Sequence, residues 1–167
     1  PETNFSGKDG ELLTKALKDQ KESLNRIKNL VKSLKNFAHT KGHENQIFDI
    51  SEALKDTSEL FKILFSQRDI YLNLEVQTGL TTKGNKERFN QVITNLVSNA
   101  IDALSSVTSQ KVITITAESH RDNKAIKVSF KDNGPGVPPE VQDKIFNQFF
   151  TTKEVGHGTG IGLALCR

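Results

Sequence analysis

From about Glu11 to His39, apolar residues recur at alternating spacings of four and three: Leu13, Leu17, Leu24, Ile27, Val31, Leu34 and Ala38, with Gln20 the one polar member. Lys, Glu, Gln and Asn fill the other faces, so the stretch predicts one long helix with an a/d seam of about four heptads. Leu30 and Phe37 widen the seam, which suits a helical bundle better than a strict two-stranded zipper. A lone helix of this kind cannot bury its own stripe. Its partner is the following domain, another copy of the chain, or a further helix. Gly42 stops it, and the polar, Gly-bearing residues 1–9 before it read as a disordered leader.

Beyond Gly42 the segments are shorter. Residues 46–50 read as a short strand, and Ser51 as the N-cap of a helix carrying Leu54, Leu60, Phe61, Leu64 and Phe65. Residues 70–76 read as a strand, 79–84 as a loop and 86–105 as a second long helix. Residues 112–117 and 125–130 alternate apolar and polar positions, as paired strands around a turn near Asp122–Asn123 do. Pro138 and Pro139 open a short helix to Phe146. A Gly- and Thr-rich loop follows, and residues 161–167 begin another helix. Helices interleaved with short strands predict an α+β fold, a two-layer sandwich with one sheet and helices on one face, preceded by the long helix. The expected divisions are a leader at 1–9, a helix at 10–42 and a domain at 43–167.

Composition narrows this picture. The 167 residues suit one domain with an appendage, and 35% hydrophobic content with a mean hydropathy of −0.47 describes a soluble chain able to build a core. The net charge of +3 is not gathered into a long run, and nothing specific supports nucleic-acid binding. The single Cys166 excludes an internal disulfide framework and suits a reducing compartment. There is no membrane-length apolar run and no signal-peptide pattern. With Pro1 first and no Met, the chain reads as a piece of a longer protein, expected to be a cytoplasmic domain whether or not the parent is anchored in a membrane.

Three segments carry candidate chemistry. In Val128–Pro138, a strand pattern ends at Asp132 and runs into Asn133-Gly134-Pro135-Gly136. The prolines end the strand, and the glycines permit positive φ or close approach to the backbone. A carboxylate there can accept a hydrogen bond from an exocyclic amine such as that of adenine, though a surface β-turn has the same composition. In the second long helix, Asn95, Asn99 and Asp102 stripe the edge of an apolar side. Asn is a poor helix former, and its amide oxygen is a suitable hard ligand for Mg²⁺; a merely polar edge is the plainer reading. In Gly156–Leu163, glycines at every second position run into a helix and expose N–H groups that could take phosphate, unless they form a simple linker. The spacing matches neither the P-loop nor the dinucleotide fingerprint, and the protein-kinase motifs are absent.

Taken in order, these segments resemble the catalytic ATP-binding domain of sensor histidine kinases, in the Bergerat-type superfamily with gyrase B, the MutL ATPases and the heat-shock chaperone ATPases. Asn95-Leu-Val-Ser-Asn99-Ala100 resembles the N box and Asp132-Asn133-Gly134-Pro135-Gly136 the first glycine box. Residues 145–153 resemble the F box, and Gly158-Thr159-Gly160-Ile161-Gly162-Leu163 the second glycine box. The likeness runs from about Phe48 to the end, and the helix at 11–39 resembles the second helix of the dimerisation bundle.

The resemblance implies a mixed sheet, ATP with Mg²⁺, and transfer of the γ-phosphoryl group to a histidine and then to a response regulator. Asp132 would bind the adenine amine, with close approach at Gly134 and Gly136. Asn99 would hold Mg²⁺, and Asn95 would sit beside metal and phosphates. Residues 147–158 would form a mobile lid hinged on Phe146, Phe149 and Phe150, with Thr151 and Thr152 beside the nucleotide and Lys153 touching phosphate. Gly158, Thr159, Gly160, Gly162 and Leu163 would line the phosphate side. The ATPase branches carry a Glu four residues before the metal Asn; here that place holds Asn95, an amide that cannot act as a base, which favours transfer over hydrolysis.

The likeness also has departures. The helix carrying the acceptor histidine is missing, so this piece is expected to bind ATP without phosphorylating itself. His43-Glu44 imitates the acceptor motif but lies in a loop, and His39, His120 and His157 lack its context. The family's domain continues past the last box, so the sheet is expected to be truncated, and Asp102 stands where some members carry Lys. A hydrolytic ATPase or anti-sigma-type serine kinase of the same fold, and a degenerate module that binds no nucleotide, remain alternatives. Expected partners are a dimerisation helix, a second copy through residues 11–39, and a response regulator.

Overall fold

A computed structural model of the chain describes residues 10–21, 23–24, 45–122, 124–153 and 158–167. The leader at 1–9, the seam residues Ile27, Leu30, Val31, Leu34, Phe37 and Ala38, and the stop at Gly42 lie outside the described residues. So do His39, His43, Asn123 and His157, and the middle of the expected lid at 154–157. Helix α1 (residues 10–21) is formed as its periodicity predicts, and Leu12, Leu13 and Leu17 stand exposed on it.

Strand β1 (Gln46–Asp49) runs straight into helix α2 (Ile50–Gln67). Asp49, not Ser51, is the N-cap. Its Oδ1 accepts from the Ser51 N–H at 2.7 Å, from the Glu52 N–H at 3.1 Å and from the Ser51 hydroxyl. A carboxylate facing the positive end of the helix is the stronger acceptor, so Ser51 becomes part of the first turn. The Ser51 hydroxyl, then the Glu52 N–H, hold the Asp49 carboxyl below its ordinary pKa. Along α2 the buried residues are Ile50, Ser51, Ala53, Leu54, Thr57, Ser58 and Phe65. Thr57 and Ser58 are tolerated there because their hydroxyls donate one turn back, to Ala53 O and Leu54 O.

After strand β2 (Ile70–Val76), the stretch expected as a loop contains strand β3 (Thr81–Gly84), antiparallel to β1 with Phe48 opposite Thr82. Thr-Thr-Lys-Gly has no apolar alternation, so only its partner strand reveals it. Helix α3 (Lys86–Ala103), capped by Asn85 Oδ1 on the Arg88 N–H at 2.8 Å, ends in a 3₁₀ turn, Leu104–Ser106. Strands β4 (Lys111–His120) and β5 (Ala125–Asp132) form the expected hairpin. The larger sheet has the order β2-β4-β5, with β2–β4 parallel and β4–β5 antiparallel. It is mixed, as expected, whereas β1 and β3 form a ladder of their own rather than joining it.

The core lies between this sheet and the two helices. Ile113, Ile115 and Ala117 supply one face of β4, and Leu54, Ile93, Val97 and Leu104 meet it from α2, α3 and the 3₁₀ turn, all essentially inaccessible to water. Phe48 and Phe89 tilt together at 5.7 Å beneath the small ladder. Each fully buried Leu or Ile contributes about 1.5–3 kcal/mol. Directly paired residues of an antiparallel ladder point to the same face. The register sets Val128 against Ala117, Phe130 against Ile115 and Asp132 against Ile113. Asp132 therefore ends a row of side chains directed at the helices.

Past β5 the chain is built from tight turns. Helix α4 is only Pro139–Gln142, shorter than the expected 138–146. Turns closed by bonds between residues three apart continue from it, with Lys144 N–H to Val141 O at 2.9 Å, Asn147 N–H to Lys144 O at 2.9 Å and Phe150 N–H to Asn147 O at 3.3 Å. The expected helix at 161–167 is a turn and one 3₁₀ turn, Ala164–Cys166. Seven residues close too few i→i+4 bonds to offset nucleation.

Candidate functional site

The site is organised along α3. At its C-terminal end lies the turn after β5. Asp132 Oδ1 accepts the Gly134 N–H at 2.9 Å, which leaves Oδ2 for an outside donor. A Cβ on Gly134 would lie 2.7 Å from Asp132 Oδ1 and 3.1 Å from Ala103 Cβ, so only glycine lets this turn close onto α3. Gly136 is required for a different reason: its φ of +75° is left-handed, with open space around it.

Asn133, read from the sequence only as a turn residue, clamps the strand end. Its Oδ1 accepts the Val112 N–H at 2.7 Å, its Nδ2 donates to Gln110 O at 2.8 Å, and its own N–H donates to Val112 O at 3.2 Å. One residue ties to the start of β4 while its neighbour Asp132 presents an acid toward α3. An amide directly after a strand ending in an acid was the available signal.

Further up α3, the predicted stripe faces two stems of chain, residues 149–153 and 158–166. Asn95 Nδ2 donates to Gly162 O at 3.0 Å and lies 3.7 Å from Cys166 Sγ. Asn99 Oδ1 receives the Lys153 ammonium at 3.4 Å, and Asp102 Oδ2 receives it at 2.5 Å. Cys166 Sγ donates to Gly162 O at 3.2 Å; its burial pushes the thiol pKa up, against the smaller opposite pull of Asn95.

The stems are held to each other by backbone. The Phe149 N–H donates to Gly160 O at 2.8 Å. Gly160 has φ +64°, and a Cβ there would lie 2.6 Å from Phe149 Cα. Thr151 Oγ1 accepts the Lys153 N–H at 3.1 Å and also abuts Gly158, where any Cβ would collide with it. Thr159 Oγ1 accepts the Ile161 N–H at 3.5 Å. The aromatic hinge takes a form the sequence did not suggest. Phe146 is 42% and Phe149 69% exposed, and Phe149 has φ +65°, so only Phe150 of the three is half-buried. Among the described residues no α-helix begins after the glycine segment: a single 3₁₀ turn follows Leu163 where the sequence predicts a helix N-terminus.

The structure thus brings Gly134, Lys153 and Gly162 onto Ala103, Asn99 with Asp102, and Asn95, three stations spanning about 12 Å of one helix. Thr152 is exposed beside them. Among the described residues, no cluster of three or more His, Cys, Asp or Glu could hold a metal, so a cation at this site would rest on the amide edge and on its own ligand.

The family described as histidine kinase-, DNA gyrase B- and HSP90-like ATPase matches residues 84–167. The catalytic domain of the histidine kinase ThkA has a TM-score of 0.65 at 34% identity, over 74% of this chain and 78% of that one. ThkA in complex with the response regulator protein TrrA has a TM-score of 0.70 at 27% identity, over 94% of this chain and 48% of that one. The sensor kinase CckA of Brucella abortus is 32% identical over 159 residues, which are 87% of this chain and 16% of CckA. The chain spans between 16% and 18% of the length of the first curated relatives it matches.

Proposed function

The chain belongs to the histidine kinase-, DNA gyrase B- and HSP90-like ATPases, and from that premise we propose that it is the Mg-ATP-binding part of a two-component sensor histidine kinase. The observation that carries the proposal is the convergence of the Asp132 turn, the asparagine stripe and the glycine loop stems on one side of α3. That span is comparable with the length of a nucleoside triphosphate.

In this reading Asp132 Oδ2 accepts the adenine amine, and the bare backbone at Gly134 and Gly136 lets the base approach. Phe146, Phe150, Thr151, Thr152 and Leu163 border the nucleotide, and the N–H groups of Gly158, Thr159, Gly160 and Gly162 lie on its phosphate side. Lys153 supplies a cation to phosphate. Asn99 fits Mg²⁺, because its Oδ1 is a hard oxygen that already receives a cation, and Mg²⁺ takes few protein ligands while keeping its waters. Bound there, the metal would offset phosphate charge.

Asn95 stands at the position where a hydrolytic enzyme needs a base. Its amide cannot abstract a proton, and its Nδ2 is engaged with Gly162 O. This supports transfer of the γ-phosphoryl group to a histidine of the intact protein, and onward to a response regulator, over hydrolysis. The exposed leucines of α1 support a partner helix in a dimer. Among the described residues, no helix is long and apolar enough to cross a membrane.

Calorimetric titration of the chain with ATP and Mg²⁺ is the test, together with γ-labelled ATP. Binding is expected, with no stable label on this chain alone and label on an added dimerisation bundle carrying the acceptor histidine. No heat of binding would remove the nucleotide reading. Steady phosphate release by the chain alone would replace transfer with hydrolysis.

A further inference from the structure

Asp102 lies at the candidate site without a role in the reading above. It sits at the solvent-facing end of the asparagine stripe, and its carboxylate contacts Lys153, a residue 51 positions away in the chain. The same ammonium reaches Asn99 Oδ1 at 3.4 Å. With three N–H donors, one lysine can bridge both acceptors. The two side chains are only 33% and 46% exposed, so this pair is partly withdrawn from water rather than a free surface contact.

We infer that Asp102 is a positioning residue that holds Lys153 against the amide oxygen of Asn99, so that a magnesium–nucleotide complex must draw Lys153 off Asp102 to bind. The inference rests on the nucleotide reading proposed above. The physical ground is that the Lys153 ammonium and a divalent cation cannot share Asn99 Oδ1 without strong repulsion. Phosphate offers Lys153 a replacement anion of higher charge. Asp102 and the phosphates therefore compete for one ammonium, and the carboxylate sets how much affinity that exchange costs.

The test is a double-mutant cycle on the chain, read by calorimetric affinity for ATP with Mg²⁺. Asp102→Asn keeps the side-chain volume and removes the charge. It is expected to tighten binding about three- to five-fold, the upper part of the range for partly exposed pairs. In a Lys153→Gln background the same change is expected to have no effect, whereas Asp102→Glu with Lys153 present restores the wild-type affinity. The coupling is expected to shrink near 1 M salt, where charges are screened within about 3 Å. A merely structural Asp102 would show neither the salt dependence nor the dependence on Lys153.

Equal tightening in both backgrounds would overturn the inference in favour of simple repulsion between Asp102 and phosphate. Weaker binding in Asp102→Asn would overturn it in favour of a carboxylate that helps to hold the hydrated metal. A wild-type chain that binds no nucleotide would overturn the nucleotide reading itself, and this inference with it, whereas binding without coupling would overturn this inference alone.

Discussion

Replacing Asp132 by Asn isolates the acid from the turn it sits in. The two side chains have nearly the same volume, so the contact of Gly134 with Ala103 is preserved. The Asn oxygen can still accept the Gly134 N–H that Asp132 Oδ1 now takes at 2.9 Å. That bond loses its charge assistance, at about 1 kcal/mol. For a domain of this size the loss should lower Tm by about 2–4 °C. The second oxygen behaves differently. In the proposed nucleotide complex it becomes an N–H donor facing the adenine amine, itself a donor, so a hydrogen bond to a charged group worth about 1.5–3 kcal/mol disappears. The affinity for ATP should fall roughly ten- to hundred-fold. Calorimetry with ATP and Mg²⁺, beside thermal unfolding without nucleotide, separates the two effects. An affinity within about two-fold of wild type would refute the adenine role, because one tenfold step is only about 1.4 kcal/mol. A fall in Tm of 10 °C or more, by about 2–4 °C per kcal/mol, would instead make Asp132 a structural turn residue.

Three further outcomes are expected. Gly160→Ala forces a β-carbon to 2.6 Å from Phe149 Cα at φ +64°; with about 1–2 kcal/mol for the left-handed backbone alone, the loop stems should separate and limited proteolysis should cut there faster. Asn133→Ala removes two side-chain bonds that clamp β5 to β4 and should cost about 1–2 kcal/mol in denaturant unfolding, with a smaller loss of ATP affinity than Asp132→Asn. Because the folded state lowers the Asp49 pKa from 3.8, the stability Asp49 contributes is present above that value and lost as pH falls through the folded pKa; Tm measured from pH 5 to 3 should fall less steeply in Asp49→Asn.

Much of the architecture was legible along the chain. Helix α3 and the β4–β5 hairpin declare themselves by period, because a buried face repeats every 3.6 or every two residues. The same parity that packs Val128 and Phe130 against the core also carries Asp132 to the helix side, and a stripe of Asn on a helix edge can be counted off directly. What could not be read depends on residues far apart. Thr81–Gly84 is a strand only because β1 lies beside it, and Asp49 displaces Ser51 as cap because β1 delivers its carboxylate to the start of α2. The partners of the Lys153 ammonium and of the Asn95 amide lie 51 or more positions away along the chain. Local periodicity is a property of neighbours, and the sequence alone determined α2, α3 and the β4–β5 hairpin, whose buried faces repeat along the chain. Pairing, capping and the company each polar group keeps are decided when distant segments close on one another, and only the tertiary structure could set them.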